Sequence, residues 1–197
     1  MKLIIGITGS IGTGKSTVSN LIKAEGYPII DTDSIVHDIY KKDLGLIKKL
    51  VKEFGDGILT KTKNIDRKKL GEIVFGDKDK LRKLNELVHP LVKEKTLKMI
   101  EKLDDGLIFL DVPLLFETDF YKLCDYTVVV YADMDNQIWR IMARDKVDFP
   151  TALKKIYSQM SLQEKIELAD FIIDNSHSIG DLPWQVKQLI IKLKGLI

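Results

Sequence analysis

Residues 9–16 read GSIGTGKS and lie between an apolar run, LIIGI at 3–7, and a helix-forming stretch, TVSNLIKA at 17–24. This order of strand, glycine-rich loop and helix is typical of the phosphate-binding P-loop, GxxxxGK[ST]. The glycines let the backbone turn so that successive N–H groups point at one anion, and the helix N-terminus adds a partial positive charge. Lys15 supplies a cation for the outer phosphates and Ser16 a hydroxyl for Mg²⁺. The pattern predicts a nucleoside triphosphate site.

Short apolar runs alternate with helical patterns along the rest of the chain. The runs occupy residues 3–7, 27–30, 107–110, 126–131 and 171–173, and each is typical of a strand buried on both faces. Because the intervening segments are helical, the sequence predicts an α/β protein with a parallel five-stranded sheet, in the three-layer P-loop NTPase fold.

Two insertions interrupt this core, which we assign to residues 1–33, 105–132 and 169–197. Residues 34–104 show helical periodicity with almost no strand signal, and we expect them to form a subdomain that holds the acceptor substrate. Residues 133–168 are expected to form a helical lid. Pro90 should kink or restart the helix in which it lies, and Pro150 should open another. The chain's tryptophans, Trp139 and Trp184, are expected to be packing residues.

Composition excludes several classes of protein. The net charge of +2, without a basic arm, is too weak to predict nucleic-acid binding. No apolar run is long enough to span a bilayer, and the first strand begins at the amino terminus, so we expect no membrane segment or signal peptide and a cytoplasmic location. Cys124 is the only cysteine, which excludes an intrachain disulfide and predicts a buried small apolar residue.

Carboxylates follow two of the predicted strands, at the sheet edge where ligands of open α/β folds bind. Asp31 follows the second strand and could either take part in the site or cap the next helix. Asp33 lies further out, where it could accept the proton of an attacking hydroxyl. Asp111 follows the third strand, where it could hold the metal through water or act as a strand-end cap.

Arg140 and Arg144 stand four residues apart and therefore on one helix face. They could be a solvated pair, but in a P-loop enzyme we favour arginines of a lid that closes on the triphosphate. The spacing of His89, which precedes Pro90, does not by itself indicate a ligand contact.

Taken together, the motifs resemble those of the dephospho-CoA kinase family, and the resemblance runs from end to end of the chain. The P-loop is shared with many families, whereas the other motifs in this order are specific. They are DTD at 31–33, HPL at 89–91, DVPLLFE at 111–117, RIMARD at 140–145, SQM at 158–160 and ADFIIDNS at 169–176.

The resemblance implies transfer of the γ-phosphoryl of ATP to the ribose 3′-hydroxyl of dephospho-CoA, with Mg²⁺ as cofactor. It implies Asp33 as the base and the lid arginines as ligands of the phosphates, and it places Asn175 near the adenine. The catalytic candidates are Asp33, Lys15, Arg140 and Arg144. The ATP-binding candidates are Gly9, Gly12, Thr13, Gly14, Lys15, Ser16, Thr17, Arg140 and Asn175. The acceptor-binding candidates are Asp33, His89, Lys93, Leu115 and Glu117, and the metal candidates are Ser16 directly and Asp111 through water.

A few positions depart from the usual pattern of this family. Ser10 stands where glycine is common, and His177 replaces a common glycine after Asn175. Lys93 and Lys155 stand where arginine is frequent, and lysine loses the bidentate fork of a guanidinium. None of these changes removes a reacting group.

The nearest alternative is another P-loop kinase acting on a nucleotide or nucleoside. A GTP-dependent switch is disfavoured because the chain lacks the guanine-reading NKxD element. A regulatory nucleotide-binding protein without transferase activity is disfavoured by Lys15, Asp33 and Asp111. We expect ATP and dephospho-CoA as substrates, no nucleic-acid or membrane partner, and a monomer.

Overall fold

The protein is described by a computed structural model that covers residues 1–74, 76–176 and 179–196. His177 therefore lies outside the described residues, and for Ile179 only the backbone is considered. The strands are β1 (Lys2–Gly9), β2 (Ile29–Asp31), β3 (Gly106–Asp111), β4 (Tyr126–Tyr131) and β5 (Phe171–Asp174). The α-helices are α1 (Lys15–Ala24), α2 (Thr32–Lys42), α3 (Leu44–Phe54), α4 (Arg67–Val74), α5 (Lys78–Glu101), α6 (Met134–Asp145), α7 (Phe149–Ile156), α8 (Leu162–Leu168) and α9 (Leu182–Lys194).

The predicted five-stranded sheet is confirmed, with the order β2-β3-β1-β4-β5. Strand β1 pairs in parallel with β3 and β4, and β4 pairs in parallel with β5. Ile7 is paired with Asp111 and Gly9 with Val130, so the residues that follow β1, β3 and β4 emerge at one edge of the sheet. This is the edge at which α/β folds bind ligands.

Contacts divide the chain into two compact units. The first comprises Met1–Ile30 and Leu103–Ile197, and the second is Asp31–Lys102. The core of the first unit is formed by apolar residues of the sheet together with Val18 and Ile22 of α1 and one face of α9. Helices α6 and α7 share a smaller cluster with Ile11 of the P-loop. Residues 133–168 thus belong to the first unit.

Helix starts in this chain depend largely on aspartate. The Asp31 carboxylate accepts a hydrogen bond from the N–H of Asp33 at 2.9 Å, so Asp31 is the cap of α2 that its position had left possible. Other caps are Asp43 for α3, Asp77 for α5, Asp133 for α6, Asp148 for α7, and Ser161 with Glu164 in a capping box for α8. These short-range bonds fix the residue at which each of these helices begins.

Pro90 and Pro150 both lie within helices of the structure. Helix α5 is continuous through Pro90, so no restart occurs there. Helix α7 carries Pro150 in its first turn, as expected. Trp139 and Trp184 are 69% and 65% exposed, so the prediction that they are packing residues is wrong. Each lies on the exposed face of an amphipathic helix, whose other face carries the buried apolar residues.

Cys124 packs against the middle of β1, next to Gly6 and Leu115. Burial raises the pKa of its thiol to about 12, so it remains protonated and unreactive near neutral pH. Cys124 is therefore a packing residue, as predicted, although it is of intermediate exposure rather than fully buried.

We predict that Gly6→Ala destabilises the protein. A Cβ at this position would come within 2.8 Å of both Cys124 Sγ and Leu115 Cδ2, which forces side chains of the core to move. Urea unfolding should show a loss of about 1–3 kcal/mol. Gly57→Ala is the matched control, because a Cβ at Gly57 would meet nothing within 4 Å. Equal stabilities of the two variants would contradict the prediction.

Candidate active site

The P-loop takes a conformation that its glycines make possible. Gly12 and Gly14 have φ values of 82° and 87°, in the left-handed region that favours glycine. A Cβ at Gly12 would lie 2.7 Å from the carbonyl oxygen of Gln137, and one at Gly14 would overlap the side-chain amide of Asn175. Gly9 is equally confined, since its Cβ would lie 2.8 Å from the carbonyl oxygen of Val130. Both the turn and its close neighbours therefore require these glycines.

Helix α1 begins directly at the end of this loop and has no side-chain cap. Thr17 N–H bonds to Gly14 O at 2.9 Å, but within the described part of the chain the N–H groups of Lys15 and Ser16 have no hydrogen-bond partner. Ser16 and Thr17 are exposed, whereas Thr13 is buried and donates its hydroxyl to Ser10 O at 2.8 Å. Free N–H groups at a helix N-terminus are suited to bind a phosphate.

Two side chains donate hydrogen bonds to backbone carbonyls of the loop. Arg140 on α6 donates to the carbonyls of Gly12 and Thr13 at 3.3 and 3.4 Å and to the carbonyl of Asn175 at 2.8 Å. Asn175, which follows β5 and is buried, donates its amide to Thr13 O at 2.7 Å. In a trans peptide the C=O and N–H point in opposite directions, so fixing the Thr13 carbonyl also fixes the Gly14 N–H on the opposite side.

Gln159 holds the beginning of the loop. Its side-chain oxygen accepts from Ile11 N–H at 3.1 Å and from the Ser10 hydroxyl at 3.4 Å. Ser10, the residue at which the family usually has glycine, is therefore accommodated by a polar contact to the segment between α7 and α8.

Lys15 and Asp111 form an ion pair at the mouth of the loop. The other oxygen of the Asp111 carboxylate accepts from the hydroxyl of Ser19 at 2.6 Å. Asp111 is only 6% exposed, so its charge is compensated by Lys15 and its position fixed by Ser19. Ser19 was not among the predicted site residues, although its spacing of four residues from Lys15 puts both on one face of α1.

Arg144 makes different contacts from Arg140. It is exposed and binds the carboxylate of Asp145, which also accepts from Lys155 at 2.5 Å. Hydrogen bonds from Arg144 and Lys155 hold the pKa of Asp145 well below its usual range, and the same contact raises the pKa of Arg144. Of the two predicted lid arginines, the structure brings only Arg140 onto the P-loop.

The loop after β3 is held by buried side chains. Leu115 is fully buried beside Gly6, so in this structure it is a packing residue with no surface for an acceptor. The buried ammonium of Lys165 binds the carboxylate of Glu117 at 2.8 Å and the carbonyl of Pro113 at 3.1 Å. Sequence reasoning missed Lys165, since a lysine in a short amphipathic helix gives no sign of burial.

The other acceptor candidates lie in the second unit. Asp33 is exposed in the first turn of α2, two residues after the capping residue Asp31. His89 and Lys93 lie one turn apart on α5, and His89 lines a cavity of about 430 Å³ along that helix. Their roles remain predictions.

The donors near the P-loop are of the kind that Mg²⁺ prefers. Ser16 offers an exposed hydroxyl and Asp111 a carboxylate, whereas the described residues contain no cluster of three or more His, Cys, Asp or Glu side chains that could hold a metal alone. An ion held mainly by substrate phosphates and water, with few protein ligands, fits this arrangement.

The sequence profile of the dephospho-CoA kinase family matches residues 3–181 of this chain. The chain belongs to this family. It is 40% identical over 198 residues to the dephospho-CoA kinase of Oceanobacillus iheyensis, covering 98% of both chains. It is 45% identical over 180 residues to that of Fusobacterium nucleatum, covering 91% of this chain and 93% of the relative.

Solved structures agree with this family assignment. The dephospho-CoA kinase from Campylobacter jejuni is 34% identical with a TM-score of 0.75 and full coverage of both chains. A Thermus thermophilus protein is 32% identical with a TM-score of 0.85, covering 98% of both. A shikimate kinase from Acinetobacter baumannii is 17% identical with a TM-score of 0.54, covers 98% of this chain and 94% of its own, and shares the fold.

We predict that Arg140→Lys weakens the P-loop. A single ammonium cannot reach the carbonyls of two separate segments as the planar guanidinium does. Urea unfolding should show a loss of about 1–3 kcal/mol, together with a raised KM for ATP. Arg144→Lys serves as the control, because its exposed ion pair contributes no more than about 1 kcal/mol. A larger stability loss in Arg144→Lys than in Arg140→Lys would contradict the contacts described above.

We predict that Lys165→Met destabilises the protein because it leaves the Glu117 carboxylate without its buried cation. Loss of one partner of a buried pair typically costs about 3–5 kcal/mol. The control is Lys187→Met, which removes the exposed ion pair of Lys187 with Glu25 at 3.7 Å and should cost less than about 1 kcal/mol. Denaturant unfolding measures both. Adding Glu117→Gln to Lys165→Met should restore part of the stability, and no recovery would show that the pair is not the cause.

Proposed function

We propose that this protein transfers the γ-phosphoryl of ATP to the ribose 3′-hydroxyl of dephospho-CoA, giving CoA and ADP. The observation that carries the proposal is a complete P-loop, with Lys15 paired to the strand-end carboxylate Asp111, in a chain that belongs to the dephospho-CoA kinase family. The protein is accordingly an ATP-dependent kinase with an alcohol acceptor.

The triphosphate is bound by groups at the start of α1. The N–H groups of Lys15 and Ser16 are directed out of the helix, and the ammonium of Lys15 adds a full charge at the loop mouth. The Lys15 ammonium is paired with Asp111 in this structure and would bind the phosphates when ATP is present. Since Asp111 lies at the loop mouth, the pair holds the ammonium close to the phosphate site before ATP binds. Arg140 and Asn175 keep the loop in its binding conformation by holding its carbonyls outside.

Ser16 and Asp111 would hold Mg²⁺, Ser16 directly and Asp111 through water. When it is bound, the ion neutralises negative charge on the phosphate oxygens.

Asp33 is proposed as the base. Its carboxylate takes the proton of the ribose 3′-hydroxyl while the hydroxyl oxygen forms the new bond to the γ-phosphorus and the bond to the ADP oxygen breaks. The position of Asp33 supports this role because the residue is exposed in the first turn of α2, where a ligand can approach it from solvent. Asp31 is occupied as the helix cap and is not a competing candidate.

The remaining roles follow the family pattern. Arg144 would leave Asp145 to bind the phosphates, and Asn175 would lie near the adenine while holding Thr13. His89, Lys93 and Glu117 would face the acceptor.

We further propose a monomer that works in the cytoplasm. Among the described residues, none of the helices has the combined length and apolarity needed to cross a bilayer.

The test of the reaction is an ADP-release assay with Mg²⁺, ATP and four acceptors: dephospho-CoA, adenosine, AMP and CoA. Only dephospho-CoA should turn over well. Efficient turnover of another acceptor in its place would reduce the assignment to a kinase of different specificity. Lys15→Ala should abolish turnover, and full activity of this variant would refute the P-loop site itself.

We predict that Asp33→Asn lowers kcat by a factor on the order of 10²–10⁴ and leaves the KM for ATP nearly unchanged, because only proton transfer is lost. Steady-state kinetics with dephospho-CoA measure both constants. Asp31→Asn is the matched control two residues away, since asparagine caps a helix as well as aspartate does. Equal kcat values for the two variants would show that Asp33 is not the base.

A further inference from the structure

A second cavity lies in the helical unit, between α2 and the segment that leads into α4. It measures about 380 Å³. Apart from Ile65, the residues that line it carry polar or charged groups: His37, Tyr40, Lys41, Thr60, Thr62, Asn64, Ile65, Asp66, Arg67 and Lys68.

The cations of this cavity lack carboxylate partners. Within residues 1–74, 76–176 and 179–196, Lys41, Arg67 and Lys68 form no ion pair. Some other cations of the same unit are paired, Lys42 with Asp38 at 2.9 Å and Lys83 with Glu53 at 2.6 Å. Because Lys41, Arg67 and Lys68 outnumber the carboxylate of Asp66 in the lining, the cavity carries a net positive charge, which favours an anion.

The one acidic residue in the lining is already engaged. The Asp66 carboxylate accepts from the N–H groups of Lys68 and Lys69 at 3.1 and 3.3 Å, at the start of α4. It acts as a helix cap rather than as a counter-ion for the cavity's cations.

The wall opposite α2 is held in place by hydrogen bonds. Ile65 N–H bonds to Tyr40 O at 3.2 Å, and Asp66 N–H bonds to Ile58 O at 2.8 Å. Within the segment, Thr60 N–H bonds to Asn64 O at 2.8 Å, and the hydroxyls of Thr60 and Thr62 lie 3.0 Å apart. The hydroxyl and amide groups of this wall are thus fixed before any ligand arrives, which lowers the entropy cost of binding.

Tyr40 adds a donor at the cavity. Its ring is buried in the unit, and burial raises the pKa of its hydroxyl to about 12, with Arg67 acting in the opposite direction. The hydroxyl consequently stays protonated and can donate to an anion at any physiological pH.

Helix α2 joins this cavity to the proposed base. Asp33, His37 and Lys41 follow one another at intervals of four residues, which places them along one face of the helix. The rise of 1.5 Å per residue puts Tyr40 roughly 10 Å from Asp33 along the axis. A ligand with an alcohol at Asp33 and negative charge a few bonds away could bind along this face.

We propose that this cavity binds the diphosphate of the acceptor, through Lys41, Arg67 and Lys68 with the hydroxyl and amide groups of the wall. The proposal rests on the proposed function, in which the acceptor is a ribonucleotide whose 5′ end carries a diphosphate ester. With the diphosphate in the cavity, the 3′-hydroxyl of the same ribose is directed along α2 toward Asp33. The cavity then determines which alcohols are accepted, since an uncharged nucleoside cannot use its cations.

The first test uses kinetics of the full-length protein. Lys41→Ala, Arg67→Ala and Lys68→Ala should each raise the KM for dephospho-CoA about ten-fold or more, while the KM for ATP changes less than about two-fold. Lys52→Ala, an exposed lysine of the same unit that does not line the cavity, is the control and should change neither constant. If the cavity variants match Lys52→Ala while the wild type phosphorylates dephospho-CoA, the proposal is overturned and the kinase assignment stands.

The second test does not depend on catalysis. Inorganic pyrophosphate is titrated into ¹⁵N-labelled protein, and amide shifts are followed by NMR at Thr60, Thr62 and Asn64 and separately in the P-loop. The cavity amides should shift in the wild type and in Lys52→Ala, but not in an Arg67→Ala/Lys68→Ala variant. Shifts confined to the P-loop would refute the cavity site. Because this readout needs no acceptor turnover, it remains decisive if dephospho-CoA proves not to be the substrate.

Discussion

The orientation of a few peptide groups in the P-loop is the constraint on which the rest of the site depends. A planar trans peptide cannot turn its N–H inward unless its C=O turns outward. The outward carbonyls of Gly12 and Thr13 must then be satisfied, and Arg140 and Asn175 provide the donors. A buried carbonyl left without a donor would cost about 1–3 kcal/mol, so these bonds stabilise the conformation that binds phosphate.

This requirement explains why distant parts of the chain meet here. The P-loop follows β1, Arg140 lies on the helix after β4, and Asn175 follows β5. Parallel pairing brings the ends of these strands to one edge, so each can contribute a side chain to the same loop. Gln159 adds a contact from the segment after α7, and Ile11 packs into the cluster of α6 and α7. The helices after β4 are therefore a structural support of the loop as well as the place where lid arginines were expected.

Charged side chains are paired differently at the P-loop and in the cavity of the helical unit. At the P-loop, the Lys15 ammonium is paired with a carboxylate that Ser19 fixes, so the cation is held ready at the loop mouth. In the helical unit, Lys41, Arg67 and Lys68 line the cavity beside Tyr40 and form no ion pair with any residue that the structure describes. Buried charges such as Lys165 are paired with an acid, because an isolated charge in the interior is too costly.

The sequence by itself determined the strands, most helix starts and the phosphate loop, because these depend on local patterns. Apolar runs, aspartate caps and glycines at positive φ act within a few residues, so the fold class and the positions of Lys15, Asp33 and Asp111 could be predicted. Only the tertiary structure decided that Arg140 binds loop carbonyls while Arg144 binds Asp145, that Leu115 is buried beside Gly6, and that Lys165 lies inside against Glu117. These outcomes depend on which side chains from remote segments share a space, and a linear pattern does not contain that information. Trp139 is an apolar residue that the tertiary structure leaves exposed. Residue type predicts burial only when a neighbouring element covers that face of the helix.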